Sequence, residues 1–183
     1  MPLGLRRFQE SGQVHFITFC CYRRRGSFID AAARYTFQVA LERVRKSFGM
    51  CIYGYVVMPE HVHLLLGEPK HAKLSDAIKS LKQGVSRRLI GGAEHFWQKR
   101  YYDFNIRDTP QHVEKLRYIH RNPVQRGLCE RPEDWEWSSF RQYATGCEGQ
   151  VEIECEWTAR KRERAAGSFD PPRELPHSSQ KQA

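Results

Sequence analysis

The chain has 183 residues, six cysteines and a formal net charge of +9. This length is typical of one domain with its own core, and no stretch approaches the roughly 20 apolar residues that a membrane span needs. No apolar segment follows the first residues and no C-x-x-C pair occurs, so we expect no signal peptide and reduced thiols in the cytoplasm.

The positive charge is uneven, because the first fifty residues contain nine Arg and Lys but only three Asp and Glu. This imbalance favours an anionic partner, nucleic acid before membrane, and therefore a nucleoid-associated location, although a merely soluble basic protein remains an alternative. The candidate DNA contacts are Arg6, Arg7, Arg23, Arg24, Arg25, Arg87, Arg88, Lys99 and Arg100. The run of three arginines could equally form a solvated turn.

The N-terminal third predicts a strand and a helix. Residues 14–22 are rich in β-branched and aromatic side chains, which is typical of a central strand. Asp30 can cap a helix over residues 31–48, whose apolar positions recur at helical spacing and which ends at Gly49.

Two short strands separated by Pro59 follow in residues 53–66. Because successive side chains of a strand alternate, His61 and His63 share one face while the apolar residues between and after them face a core. Two imidazoles at a fixed separation suit a divalent metal, although such pairs also occur by chance on exposed strands.

A second helix is predicted from Ser75 to Leu89. The order strand, helix, strand, strand, helix predicts most of a split β-α-β arrangement, with both helices on one face of an antiparallel sheet. The histidine pair would lie on the other face, which this prediction leaves free.

Residues 96–107 combine aromatic and basic side chains, and we predict that part of them forms an extended edge segment. Interleaved rings and cations suit stacking on unpaired bases. For Trp97 and Phe104, filling the core is an equally good interpretation.

The next helix is predicted from Thr109, as N-cap, to Asn122, since Pro123 disfavours continuation. Tyr118 and Asn122 are spaced i, i+4 and lie together, away from the helix's apolar stripe. An ordinary surface tyrosine remains an alternative. Residues 1–146 are predicted to form one domain, and the polar residues 147–183 a disordered tail.

Two local patterns occur together, Val57–Leu65 with the sequence VMPEHVHLL and Tyr118–Leu128 with the sequence YIHRNPVQRGL. The second is followed by WEWSS at Trp135–Ser139. From Val14 to Tyr143 the chain resembles the single-tyrosine HUH transposases, and most of all the REP-associated tyrosine transposases. The resemblance implies an α+β, ferredoxin-like HUH nuclease fold, with an antiparallel sheet, helices on one face and the tyrosine helix near the metal face.

The resemblance also implies roles for individual residues. His61 and His63 would bind a metal, Asn122 would be the third protein ligand, and Tyr118 would be the nucleophile. The enzyme would cleave and rejoin single-stranded or hairpin (REP-like) DNA through a 5′-phosphotyrosine, with Mg²⁺ or Mn²⁺, as a monomer or homodimer. Related insertion-sequence enzymes more often have Gln at the position of Asn122, and Asn is shorter by one methylene.

Other classes of function are compatible with parts of this pattern. A non-catalytic single-stranded nucleic-acid-binding domain could use the same fold. Replication and plasmid-transfer initiators share the His-hydrophobe-His pair, but these proteins are usually larger. Carboxylate-triad transposases need a mixed sheet that the predicted strand order does not resemble.

Overall fold

The computed structural model describes residues 12–91 and 93–166. Within these ranges the strands and helices are β1 (Val14–Cys20), α1 (Ala31–Phe48), β2 (Ile52–Val57), β3 (His61–Gly67), α2 (Leu74–Leu89), β4 (Tyr102–Ile106), α3 (Thr109–Gln125), α4 (Phe140–Thr145) and α5 (Glu156–Ala165). Short 3-10 turns span Tyr22–Arg24 and Pro132–Asp134. The first six elements occur in the predicted order.

The four strands form one antiparallel sheet in the order β2-β3-β1-β4. Strand β1 is central, as predicted, although it ends at Cys20 because the chain then turns into the 3-10 segment. In the register of the sheet, Thr18 lies opposite His63 on one side and Tyr102 on the other. The α+β class and the antiparallel sheet predicted from the sequence are therefore confirmed.

Helices α1 and α2 cover one face of the sheet and enclose the larger core. The Asp30 side chain accepts a hydrogen bond from the Ala33 amide at 2.6 Å, and Gly49 ends α1 in the left-handed region at φ 61°. Both ends of α1 therefore lie where the sequence predicted them. Apolar side chains of α1, α2 and one face of β1, β2 and β3 are buried between these layers.

The other face of the sheet is not free, and the sequence-based prediction was wrong on this point. Helix α3 and Trp135 cover it, enclosing a smaller cluster made of Phe16, Val56, Met58, Leu65, Ile106, Ile119 and Trp135. The approach is close at Gly54, where a Cβ atom would lie 2.6 Å from Leu116 Cδ1. The absence of a side chain at this position lets the helix pack against β2.

Helix α3 differs in detail from its prediction. Asp108, not Thr109, is the N-cap, and its side chain accepts a hydrogen bond from the Gln111 amide. The helix continues through Pro123 to Gln125. A proline inside a helix lacks one donor, but the following turn still forms, since the Arg126 amide bonds to the Asn122 carbonyl at 3.0 Å.

The predicted disordered tail is wrong for residues 147–166. Val151 and Ile153 are buried in the larger core, and the Glu154 amide donates to the Ile52 carbonyl at 2.7 Å. This segment supplies a partner to the open edge of β2, and α5 follows it. The alternation of apolar and acidic residues from 151 to 154 is a strand-like signal that the polar composition concealed. Residues 167–183 lie outside the described residues.

Candidate active site

The histidine pair lies at the start of β3, on the face covered by α3. The His61 and His63 side chains point to the same side of the strand, as alternation predicted, and both residues are buried, at 6% and 4% exposure. Their Nε2 atoms are 3.0 Å apart. The strand therefore brings two imidazole nitrogens to one point.

Each imidazole has a polar neighbour at its Nδ1 atom, but within the described residues only the His63 ring makes a hydrogen bond there. The Nδ1 atom of His63 lies 2.6 Å from the Thr18 hydroxyl on the adjacent strand. An Nδ1 proton donated to this hydroxyl leaves Nε2 with its lone pair. On the other ring, His61 Nδ1 lies 3.1 Å from Glu60 Oε1, and the same oxygen accepts from Arg126 Nη2 at 2.5 Å.

The electrostatics of the pair favour neutral rings. Burial, with a further contribution from the neighbouring His61, lowers the pKa of His63 to about 3. Burial also lowers the pKa of His61, although the Glu60 carboxylate opposes the shift. Neutral imidazoles keep the lone pairs that a metal needs, so both rings are ready to act as ligands near pH 7.

Asn122 and Tyr118 come from one face of α3, one helical turn apart. The Asn122 amide nitrogen is 3.5 Å from His63 Nε2. Its Oδ1 atom is buried and has no hydrogen-bond partner within residues 12–91 and 93–166. The sequence placed Asn122 away from the buried stripe, but the residue is 5% exposed, because the helix turns this side chain toward the histidines.

Tyr118 is the exposed member of the group. Its ring centroid lies 5.1 Å from that of His63 and 5.9 Å from that of Phe16, edge-on in both cases. The residue is 42% exposed, so the ring rests on the histidine pair with a side open to solvent. A phenol, two imidazoles and an amide therefore converge within a single chain.

These residues fit a divalent ion. Two nitrogens bonded at about 2.1 Å to adjacent positions of an octahedral ion would be about 3.0 Å apart, which matches the observed separation of 3.0 Å. With the Asn122 amide reversed, so that Oδ1 instead of Nδ2 faces His63 Nε2, its oxygen would be a third donor of the hard type. No group of three His, Cys, Asp or Glu that could hold a metal occurs in the described part of the chain, so the amide is needed to complete this set.

Three of the predicted DNA contacts follow the end of β1 that lies opposite the histidine pair. Arg23, Arg24 and Arg25 are exposed, and the Cys21 amide before them bonds to the Glu60 carbonyl, next to His61. Their backbone is unusual, since Arg23 and Arg24 have φ of 52° and 53°. Such left-handed conformations are uncommon for residues other than glycine and occur at functional sites.

The remaining predicted cations are also exposed where the structure describes them. Arg87 and Arg88 lie in the last turn of α2, and Lys99 and Arg100 immediately precede β4. Arg6 and Arg7 lie outside the described residues. The sequence did not single out Thr18, Glu60 and Arg126, because their partners are distant along the chain and no local pattern marks them.

The chain can now be assigned to a family. The sequence model of the family described as "Transposase IS200 like" matches residues 8–122, which is more than half of the chain. The chain therefore belongs to this family of DNA-cleaving and DNA-transferring enzymes. The similarity extends to one branch of these enzymes, the REP-associated tyrosine transposases, as the sequence motifs predicted.

Three similar proteins support this assignment. The chain is 26% identical over 138 residues to the REP-associated tyrosine transposase of Escherichia coli K12, covering 75% of this chain and 82% of that protein. A Haemophilus influenzae protein with the same family name is 27% identical over 150 residues, covering 75% and 85%. A solved structure of a REP-associated tyrosine transposase bound to a REP hairpin matches with a TM-score of 0.69 and 25% identity, covering 84% of this chain and 92% of that chain.

None of the helices in residues 12–91 and 93–166 combines the length and the apolar character that a membrane span requires.

Proposed function

We propose that this transposase cleaves and rejoins single-stranded DNA carrying a REP-like hairpin, through a 5′-phosphotyrosine on Tyr118. A divalent metal bound by His61, His63 and Asn122 would assist the reaction. The observation that carries the proposal is the contact between the Tyr118 ring and the His63 ring, with centroids 5.1 Å apart in the same chain. The relative that was solved with a REP hairpin supports the choice of DNA.

The chemistry follows from the residues present. The Tyr118 hydroxyl oxygen would attack the scissile phosphorus, and its proton would pass to the solvent that reaches the half-exposed side chain. The bond from phosphorus to the 3′ oxygen breaks, and that oxygen takes the electron pair and then a proton. The products are a 5′-phosphate esterified to Tyr118 and a free 3′-hydroxyl. A 3′-hydroxyl of another strand can reverse the step without ATP, which strand transfer requires.

A bound divalent ion would polarise a phosphoryl oxygen and offset the negative charge that repels the nucleophile. The histidines and the amide would hold it, while Thr18 and Glu60 keep the rings in place. Imidazole ligands favour Mn²⁺ over Mg²⁺. We therefore propose Mg²⁺ as the cellular ion because of its abundance, with Mn²⁺ as an equal or better activator in vitro.

The exposed cations would contribute affinity for DNA that does not depend on its sequence. Arg23, Arg24 and Arg25 lie beside the histidine pair, and Lys99 and Arg100 precede the edge strand β4. Each phosphate that such side chains neutralise on a single strand should contribute about −0.7 to the slope of log affinity against log salt. Substitution of the arginine run should therefore make binding less dependent on salt.

The variant Tyr118→Phe tests the mechanism, because it removes only the hydroxyl. Incubated with labelled hairpin-bearing single strands and Mn²⁺, the wild-type protein should acquire a covalently attached 5′ end. The variant should lose this adduct by at least about a thousandfold while keeping DNA affinity. Tyr35→Phe, which alters an exposed tyrosine on α1, is the matched control and should react like the wild type.

The outcomes separate the catalytic function from simple DNA binding. An adduct on Tyr118→Phe would assign the nucleophile elsewhere. A wild-type protein that binds the hairpin strands but forms no adduct would support a non-catalytic binder. Adduct formation at the same rate in excess chelator would remove the metal from the mechanism.

A further inference from the structure

A row of three side chains crosses the sheet from the histidine pair to its edge. In the register of the sheet, Tyr102 on β4 lies opposite Thr18 on β1, and Thr18 lies opposite His63 on β3. Residues directly opposite in neighbouring strands point to the same face. Tyr102 is therefore on the α3 side of the sheet. It lies two strands away from His63, which is roughly 10 Å across the sheet.

A buried ring connects Tyr102 to Tyr118. The Phe16 ring contacts Tyr118 at 5.9 Å between centroids and Tyr102 at 6.4 Å, edge-on in both cases. Phe16 is 6% exposed, whereas each tyrosine is 42% exposed. Tyr102 is thus held by packing on one side and presents the rest of its ring to solvent, one ring away from the phenol of the proposed nucleophile.

Cations lie near this exposed ring, both in the preceding chain and on helix α3. Lys99 and Arg100 are exposed and precede Tyr102 by three and two positions in the chain. On the helix above, Lys115 Nζ lies 5.7 Å from the Phe16 ring and 5.4 Å from the Phe104 ring. An aromatic surface bordered by positive charges on both sides complements a chain of unpaired bases joined by phosphates.

We infer that Tyr102 is a stacking platform for an unpaired base of the DNA strand, beside the nucleotide whose phosphate is cleaved. The position of that phosphate rests on the proposed function of Tyr118, but the stacking itself does not. A tyrosine that stacks on a base does not distinguish one base from another, because every base has a π-face. The platform would therefore fix the path of the single strand across the edge of the sheet and leave sequence recognition to other contacts.

A single-stranded oligo(dT) probe containing 5-iodouracil tests the platform without any cleavage. In excess chelator, ultraviolet irradiation should crosslink the probe to the peptide that contains Tyr102, because the iodinated base reacts with a ring stacked on it. Peptide mass spectrometry identifies the attached residue. Omitting the metal keeps this result independent of the transposition chemistry.

Two substitutions at Tyr102 separate the ring from its hydroxyl. Tyr102→Ser should weaken oligo(dT) binding by about tenfold, the scale of one lost base–aromatic stack, whereas Tyr102→Phe should bind like the wild type. Tyr35→Ser, which removes an exposed ring from α1, should leave affinity unchanged. Thermal melting of each variant checks that the fold is retained.

The platform is excluded if Tyr102→Ser binds oligo(dT) as tightly as the wild type, or if crosslinks occur elsewhere and not on the Tyr102 peptide. It is also excluded if the wild-type protein does not bind oligo(dT). A different pattern, in which crosslinking to Tyr102 succeeds but no covalent adduct forms on hairpin strands with Mn²⁺, would support the platform and overturn only the proposed mechanism.

Discussion

His15 and the pair formed by His61 and His63 lie on the same sheet, but their surroundings shift their pKa values in opposite directions. His15 lies near the start of β1, opposite Leu66 and Asn105, whereas His61 and His63 lie opposite the end of that strand. His15 is fully buried between two carboxylates, with Nδ1 2.8 Å from Asp103 and Nε2 3.0 Å from Glu68.

Burial alone does not decide what a histidine does. Burial lowers the pKa of His15, but the hydrogen bonds that its ring donates to the Asp103 and Glu68 carboxylates, together with their negative charge, outweigh it, and the pKa is raised overall. His63 has a hydroxyl, an amide and another imidazole as neighbours, and its pKa falls to about 3. The first environment favours the protonated ring between two carboxylates, and the second favours neutral rings with free lone pairs.

The sharpest test of this contrast is the pair of substitutions His63→Gln and His15→Gln. His63→Gln should reduce metal-dependent cleavage by at least about 100-fold, because a ligand is lost, with little change in the free energy of unfolding. His15→Gln should instead cost about 3 kcal/mol of stability, since the buried Asp103 and the partly buried Glu68 lose their partner. Cleavage assays and urea denaturation measure the two effects. Equal loss of activity in both folded variants would contradict the division of roles.

The carboxylates beside the histidines should also differ. Glu60→Gln removes the negative charge that lies beside His61 and pairs with Arg126. We therefore expect Mn²⁺ affinity to fall by about 10- to 100-fold. Asp103→Asn alters the carboxylate at His15 and should leave Mn²⁺ affinity unchanged while lowering stability. Isothermal titration with Mn²⁺ separates the two, and an unchanged affinity in Glu60→Gln would show that this carboxylate does not support the ligand.

The smallest effect is a difference in pH dependence. Burial lowers the pKa of His120 to about 4, so between pH 6.5 and 4 the unfolded chain binds a proton that the folded chain excludes. Stability is lost as the pH falls through this window, by about 2 kcal/mol at pH 5 for this one group. The raised pKa of His15 has the opposite sign, because its contribution is complete below pH 6.5 and is lost as the pH rises through the raised value.

Denaturation curves across pH measure both signs. His120→Gln should flatten the loss of stability on the acid side, even if the substitution weakens the 2.8 Å hydrogen bond to Ser139 and lowers stability at every pH. His15→Gln should reduce the loss above neutral pH. If the free energy of unfolding changed with pH in both variants as it does in the wild type, groups other than these two histidines would dominate the pH dependence.

The sequence predicted the parts of this molecule that depend on local pattern. Alternation in β3 placed His61 and His63 on one face, and a cap and a glycine fixed the ends of α1. The i, i+4 spacing of Tyr118 and Asn122 placed them on one helix face. That these groups serve as nucleophile and metal ligands came from the family resemblance and remains a prediction.

The missed features depend on contacts between distant residues. Thr18 reaches His63 across 45 positions, and Glu60 reaches Arg126 across 66. No local periodicity marks such pairs. The helical-wheel argument also put Asn122 on an exposed face, since it counted apolar residues alone and could not anticipate that a polar side chain would be buried against the histidines.

The close approach at Gly54 has a consequence for how this active site can vary. Helix α3 carries both Tyr118 and Asn122, and it rests on β2 where a Cβ atom at Gly54 would lie 2.6 Å from Leu116. A methyl group at position 54 would displace the end of the Leu116 side chain and so change how β2 packs against the helix that carries Tyr118 and Asn122. The packing of the candidate site therefore depends on a glycine in a strand that contributes no side chain to it.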